Sequence, residues 1–208
     1  MFDFSLISLL AGIPGLIIAM VIHEYAHARV AVALGDFTPK LMGRLTLNPR
    51  AHIDPVGLLM LFLIRFGWAK PVVINPNNFR QPRRDDILVS VAGPLANLLT
   101  AFVTLFLLVL FSQMGFHLSQ GTILVCRLII IYNINFAIFN LIPVPPLDGA
   151  HILRQLLPRE LGWRFASLER YSLLIMIVFI MTPILQYVFV PMQQMIWHVF
   201  AAIIELIF

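Results

Sequence analysis

The segment His23-Glu24-Tyr25-Ala26-His27 sets two imidazoles four residues apart, with a carboxylate beside the first. On a helix, positions i and i+4 share one face about a turn apart, so both rings can converge on a single cation. Zn2+ suits that donor pair, and Glu24 would stand within reach of a water at the metal. The pattern is short and turns up by chance in unrelated chains. Its ordinary alternative is a pair of histidines on the wet stripe of an amphipathic helix. The flanks exclude that alternative, because Leu16–Ile22 and Ala31–Leu34 are wholly apolar and leave no water-facing stripe. Ionisable side chains inside an apolar helix cost about 3 kcal/mol each on insertion scales and by default mark function.

A catalytic zinc takes three protein ligands and keeps a fourth position open. The candidates for the third are Asp148, His151, His52, His117 and His198. His117 falls in a loop and His198 in the last apolar segment, which suits interfacial positions. His52 sits in a basic loop and reads as solvated or as a support for another ligand. Asp148 differs, because it follows Asn140-Leu141-Ile142-Pro143-Val144-Pro145-Pro146-Leu147 at the end of an apolar helix and precedes Gly149. Prolines there end the helix and free the backbone to turn. Broken helix at membrane depth is tolerated where it lines a cavity or is buried in protein.

The elements that must position these residues are membrane elements. The chain is 60% hydrophobic and 12% charged, against about 25% charged in soluble domains. Residues 4–22, 87–111 and 171–191 carry no charge, and each approaches the roughly 20 residues a helix needs to cross hydrocarbon. The fold class expected is an all-α polytopic membrane protein of about five to six transmembrane helices, with a short membrane-dipping β-element. It forms one domain over 1–208, with a catalytic core over about 5–155 and additional helices over 167–208. Full spans are expected at 5–34, 87–112, 122–143, 171–190 and 192–208, with a connection around Pro191. The first run lacks the basic start and small-residue cleavage site of a signal peptide and continues into the histidine motif, so it reads as a mature helix. Residues 55–65 are too short to cross comfortably and read as re-entrant or as a half-span. That placement gathers Lys40, Arg44, Arg50, Lys70, Arg80, Arg83, Arg84, Arg154, Arg159, Arg164 and Arg170 on one side, which the positive-inside rule makes cytoplasmic. Residues 68–75, β-branched and bracketed by prolines, read as an edge strand or, equally well, as an interfacial loop. One cysteine, Cys126, excludes an internal disulfide.

Together, His23-Glu24-x-x-His27 and Asn140-x-x-Pro143-x-x-x-x-Asp148-Gly149 resemble the site-2 protease family of intramembrane zinc metalloproteases. Gly43-Arg44-Leu45-Thr46-Leu47-Asn48-Pro49, the Phe66–Pro76 segment and Ala92-Gly93-Pro94-Leu95-Ala96-Asn97 are similar too. The likeness covers about residues 12–155 and the small bacterial branch, with no PDZ-like or CBS-like insert visible. It implies one Zn2+ per chain on His23, His27 and Asp148, with Glu24 as general base. It also implies that a membrane-dipping β-element, matching Trp68, Val72, Val73 and Ile74, receives substrate.

In such a site the metal would activate water, and Glu24 would carry a proton from that water to the leaving amine. Asn140 is the expected oxyanion donor, as the resemblance also suggests. Asn97 is a weaker candidate for that role, and could instead bond across helices where Gly93 permits close packing. Gly93, Asn97 and Pro143 are the expected supports of the site. The expected reaction is hydrolysis of a peptide bond within or near a transmembrane segment of a single-span protein, in a prokaryotic plasma membrane, with the site toward the cytoplasm. Rival classes are a catalytically silent membrane scaffold and a metal or proton transporter; transporters usually show internal repeats, and none is visible. No interleaved basic and aromatic patch points to nucleic acid.

Overall fold

A computed structural model of the protein describes residues 6–57 and 68–208. Its long elements are α1 (Leu6–Ala33), α3 (Pro82–Gln113), α4 (Gln120–Leu141) and α8 (Ile184–Glu205). Shorter helices are α2 (Thr38–Leu41), α5 (Asp148–Leu156), α6 (Arg159–Ala166) and α7 (Ser172–Met181). Among the described residues, four helices are long and apolar enough to cross a membrane: Leu10–Ala33, Pro82–Gln113, Gln120–Leu141 and Gln186–Glu205. The protein is a multi-pass, all-α membrane protein.

Helices α1, α3 and α4 pack against one another as the central trio. Small residues set their spacing. A Cβ on Gly12 would meet Tyr132 Oη at 2.8 Å, and one on Gly15 would meet Ile129 backbone at 3.1 Å. Lipid tails are as apolar as leucine, so close backbone approach replaces hydrophobic drive as the glue. Ala101, Ile130, Ile134 and Ile138 form the buried seam between α3 and α4, and α8 covers it with Phe200, Phe189, Met192 and Ile196.

Two expectations need correction. The segment 171–190 is not a span, and no connection falls at Pro191. The chain breaks at Thr182-Pro183, where Thr182 is extended (φ −89°, ψ 150°) as a residue before proline prefers. Pro191 lies inside α8. Helix α7, with 10 residues, reaches about 15 Å, half the hydrocarbon thickness. Nor is the 68–75 segment a strand among the described residues: one antiparallel bridge joins Ile53 to Ala69, and residues 70–75 beyond it take no regular secondary structure. The re-entrant segment 55–65 lies outside the described residues except for 55–57. Its flanks are nonetheless side by side, because Lys70 N donates to His52 O at 2.8 Å. Loops 36–54 and 68–81 therefore share one face of the molecule.

Candidate metal centre

His23 and His27 lie in α1 and are buried (3% and 8% exposed), as is Glu24 between them. Asp148 opens α5. It gets there because Ile142–Leu147 turns tightly, Val144 N donating to Ile142 O and Leu147 N to Val144 O. Gly149 is required by the fold-back: a Cβ there would stand 2.3 Å from Leu141 O and 2.5 Å from Ile142 O. Any side chain at 149 would push α5, and Asp148 with it, off the end of α4. The far end of α5 is tied down as well. Gln155 Nε2 donates to Asp86 Oδ2, and the Arg83 guanidinium donates to the Gln155 and Leu157 carbonyls.

The three side chains converge. His23 Nε2 and His27 Nε2 are 2.9 Å apart, and each faces Asp148 Oδ2, at 3.2 and 3.3 Å. The hydrogen-bonding partners behind them fix where the ring protons sit. Asn97 donates its two amide hydrogens to Ala19 O and Asn133 Oδ1. Its Oδ1 can therefore only accept, and does so from His23 Nδ1 at 2.8 Å. Val89 O, a carbonyl, accepts from His27 Nδ1 at 2.7 Å. With both protons on Nδ1, both Nε2 atoms present lone pairs. Asp148 Oδ2 is buried and has no hydrogen-bond partner.

Three lone pairs aimed at one point repel unless a cation lies among them. A tetrahedral Zn2+ with bonds of about 2.0–2.1 Å separates its ligand atoms by about 3.3 Å; the two histidine–aspartate spacings match this, and the histidine–histidine spacing of 2.9 Å is shorter. His23, His27 and Asp148 form a group that could hold a metal ion. Gly93 leaves the room: a Cβ there would come within 2.5 Å of His27 Nε2 and 2.6 Å of His23 Nδ1.

This geometry meets its counterpart in known sequences. The profile of peptidase family M50 matches residues 113–183. YwhC of Bacillus subtilis (strain 168), provisionally named a zinc metalloprotease, is 39% identical over 91% of this chain and 90% of its own length. The chain belongs to peptidase family M50, the site-2 protease family. Rip2 of Mycobacterium tuberculosis (strain H37Rv), with the same provisional activity in its name, is 31% identical over 83% of this chain and 67% of its own. Rip2 of Mycolicibacterium smegmatis is 30% identical over the same shares. No solved structure matches significantly. The M50 enzyme is a zinc metalloprotease, and the convergent His23–His27–Asp148 group is its candidate zinc site.

The remaining candidates fall elsewhere. His117 and His198 are exposed and distant in the chain from the cluster, and His151 is not among the ligating group. His52 is not solvated: it is fully buried, with Nε2 on Thr46 O at 2.8 Å, and so braces the 44–54 loop. Asn97 cannot serve as an oxyanion donor in this arrangement, since both its amide hydrogens are spent; it holds His23 instead. Asn140 Nδ2 donates to Phe136 O of its own helix at 2.9 Å. Trp68 and Val73 are exposed and Val72 and Ile74 half-buried, with Ile74 packed on Ala31, Phe79 and Val89.

Three contacts escaped the sequence. Val72 N donates to Glu24 Oε2 at 2.9 Å. Asp36, fully buried, accepts from Thr38 N and Oγ1, Asn75 N and Asn78 Nδ2. These bonds hold its carboxyl below the usual range even though burial pushes the other way. An aspartate two residues before a threonine just past a helix is a turn signature that could have flagged it. Asn135, seated on α4 among apolar residues, receives Gln193 Nε2 of α8.

Proposed function

We propose that this M50 enzyme cuts a peptide bond within or near the transmembrane segment of a single-span protein, as a step of regulated intramembrane proteolysis. We place it in the plasma membrane with its site toward the cytoplasm. The observation that carries the reading is the depth of the His23–His27–Asp148 group. Two of its members, His23 and His27, lie buried in a helix apolar enough to span, and Asp148 beside them is half-buried. A site set in a spanning helix suits a substrate that is itself a membrane segment. The basic residues on the face where α1 ends and α5 begins support the cytoplasmic placement.

In this reading His23, His27 and Asp148 hold Zn2+, which supplies Lewis acidity for activating water and polarising the scissile carbonyl. Glu24 takes the proton of the attacking water through a carboxylate oxygen and returns it to the departing amine. Asn97 and Val89 O keep both imidazoles in the tautomer that leaves Nε2 free. Asn140 turns its amide from the Phe136 carbonyl toward the developing oxyanion, as its side chain is half-buried and, among the described residues, held by that one bond. Strand addition along residues 68–75 presents an unwound substrate backbone.

The test is Glu24→Gln in proteoliposomes with a single-span reporter. Zinc content should stay at one per chain while cleavage falls by about 10^3 or more. Scaffolding or transport instead requires that the unmodified protein leave the reporter whole.

A further inference from the structure

We infer that the main-chain N–H of Val72 is a positioning group for Glu24, so that the segment proposed to take up substrate also sets the base. The inference rests on the proposed function, because it gives Glu24 that role. Glu24 is 8% exposed, so little water is present to orient its carboxylate. Val72 N, at 2.9 Å from Oε2, is the donor that does so. A carboxylate fixed through one oxygen keeps the other oriented, and a hydrogen bond to a charged group is about twice as strong as a neutral one.

The strap that carries Val72 is fastened on both sides of it. Lys70 N is bonded to His52 O upstream, and downstream Asn75 N and Asn78 Nδ2 are bonded to Asp36. His52 and Asp36 are both fully buried, so each anchor is part of the packed protein. Between the anchors, the N–H groups of Val73 and Ile74 engage no partner among the described residues. A substrate strand pairing there would act on the residue next to the one that holds the base. Docking and base orientation are thereby linked through adjacent peptide units that meet at the Val72 Cα.

The clean perturbation is replacement of Val72 by α-hydroxyvaline, which exchanges the N–H for an ester oxygen and leaves the side chain in place. With the single-span reporter, kcat should fall between about ten and a hundred fold, with KM within twofold and zinc still at one per chain. A raised KM with unchanged kcat would make the strap a docking site only and overturn the inference. A second measurement is independent of catalysis. Exchange of the Val72 amide with deuterium should be slow in the unmodified protein and in Glu24→Gln, whose amide oxygen still accepts, and at least tenfold faster in Glu24→Ala. Equal exchange in all three also overturns it. If the unmodified protein cleaves nothing, the protease reading fails while the exchange result still decides whether Val72 holds Glu24.

Discussion

At the scale of single residues, the histidine pair and Asp148 were legible because their chemistry is costly where they sit. Imidazole and carboxylate in apolar surroundings demand partners, and the spacing of four residues names the first two. The proline-broken end of α4 names the third. What the sequence did not disclose is which partner orients which ring, since that depends on the rotation of α3 against α1. Gly93 shows how narrow that fit is. In a helix interior, alanine is ordinarily favoured over glycine by about 0.5–1 kcal/mol. At 93 the added methyl would meet two ligand rings at 2.5 and 2.6 Å, and those rings are pinned from behind by Asn97 and Val89 O. Gly93→Ala should therefore weaken zinc binding by about ten to a hundred fold in a chelator competition while leaving helix content unchanged. Unaltered affinity would mean that the rings have slack and that the tautomer-fixing bonds are not restrictive.

At the scale of elements, proline placement was informative but ambiguous. Pro183 and Pro191 both lie in the last apolar stretch. The break comes at Pro183, since only there does the preceding residue leave helical geometry, while α8 absorbs Pro191 in its interior. The 68–75 strap was legible as a non-helical segment but not as to what fastens it. Its register against α1 is fixed by Asp36, a residue with no apparent chemistry. Because that carboxyl is held below its ordinary value, the ionised form is the one that binds the strap. The stability it contributes is complete above the ordinary aspartate range, near about pH 4, and disappears as pH falls through the lowered folded value. Trp68 offers a reporter once Trp163 and Trp197 are changed to phenylalanine. In metal-free protein, so that ligand protonation does not contribute, its fluorescence should shift on acidification below about pH 4. Asp36→Ala should show the released signal at every pH. A shift that survives unchanged in Asp36→Ala would place the anchor elsewhere.

At the scale of the whole molecule, composition announced a membrane protein, yet counting apolar runs gave one more full span than the described residues hold. Runs record length and polarity but not direction. Direction comes from long-range contacts, and these are consistent along α8. Phe189 meets Phe139 and Gln193 meets Asn135, so α8 ascends as α4 descends. Phe200 meets Phe102 and Phe208 meets Phe106, so α8 runs parallel to α3. Four long helices then alternate in direction, and position 208 lies on the same side as the 114–119 loop, opposite the basic loops. Five full spans would put it with those loops. In a Cys126→Ser background, a cysteine appended after Phe208 should react with a membrane-impermeant maleimide from the same side as one replacing Ser119, and from the side opposite one replacing Ser167. Labelling of the 208 and 167 positions from one side would restore the five-span arrangement. It would also detach Phe200 and Phe189 from the seam of Ile130, Ile134 and Ile138, which α8 covers only in the orientation observed.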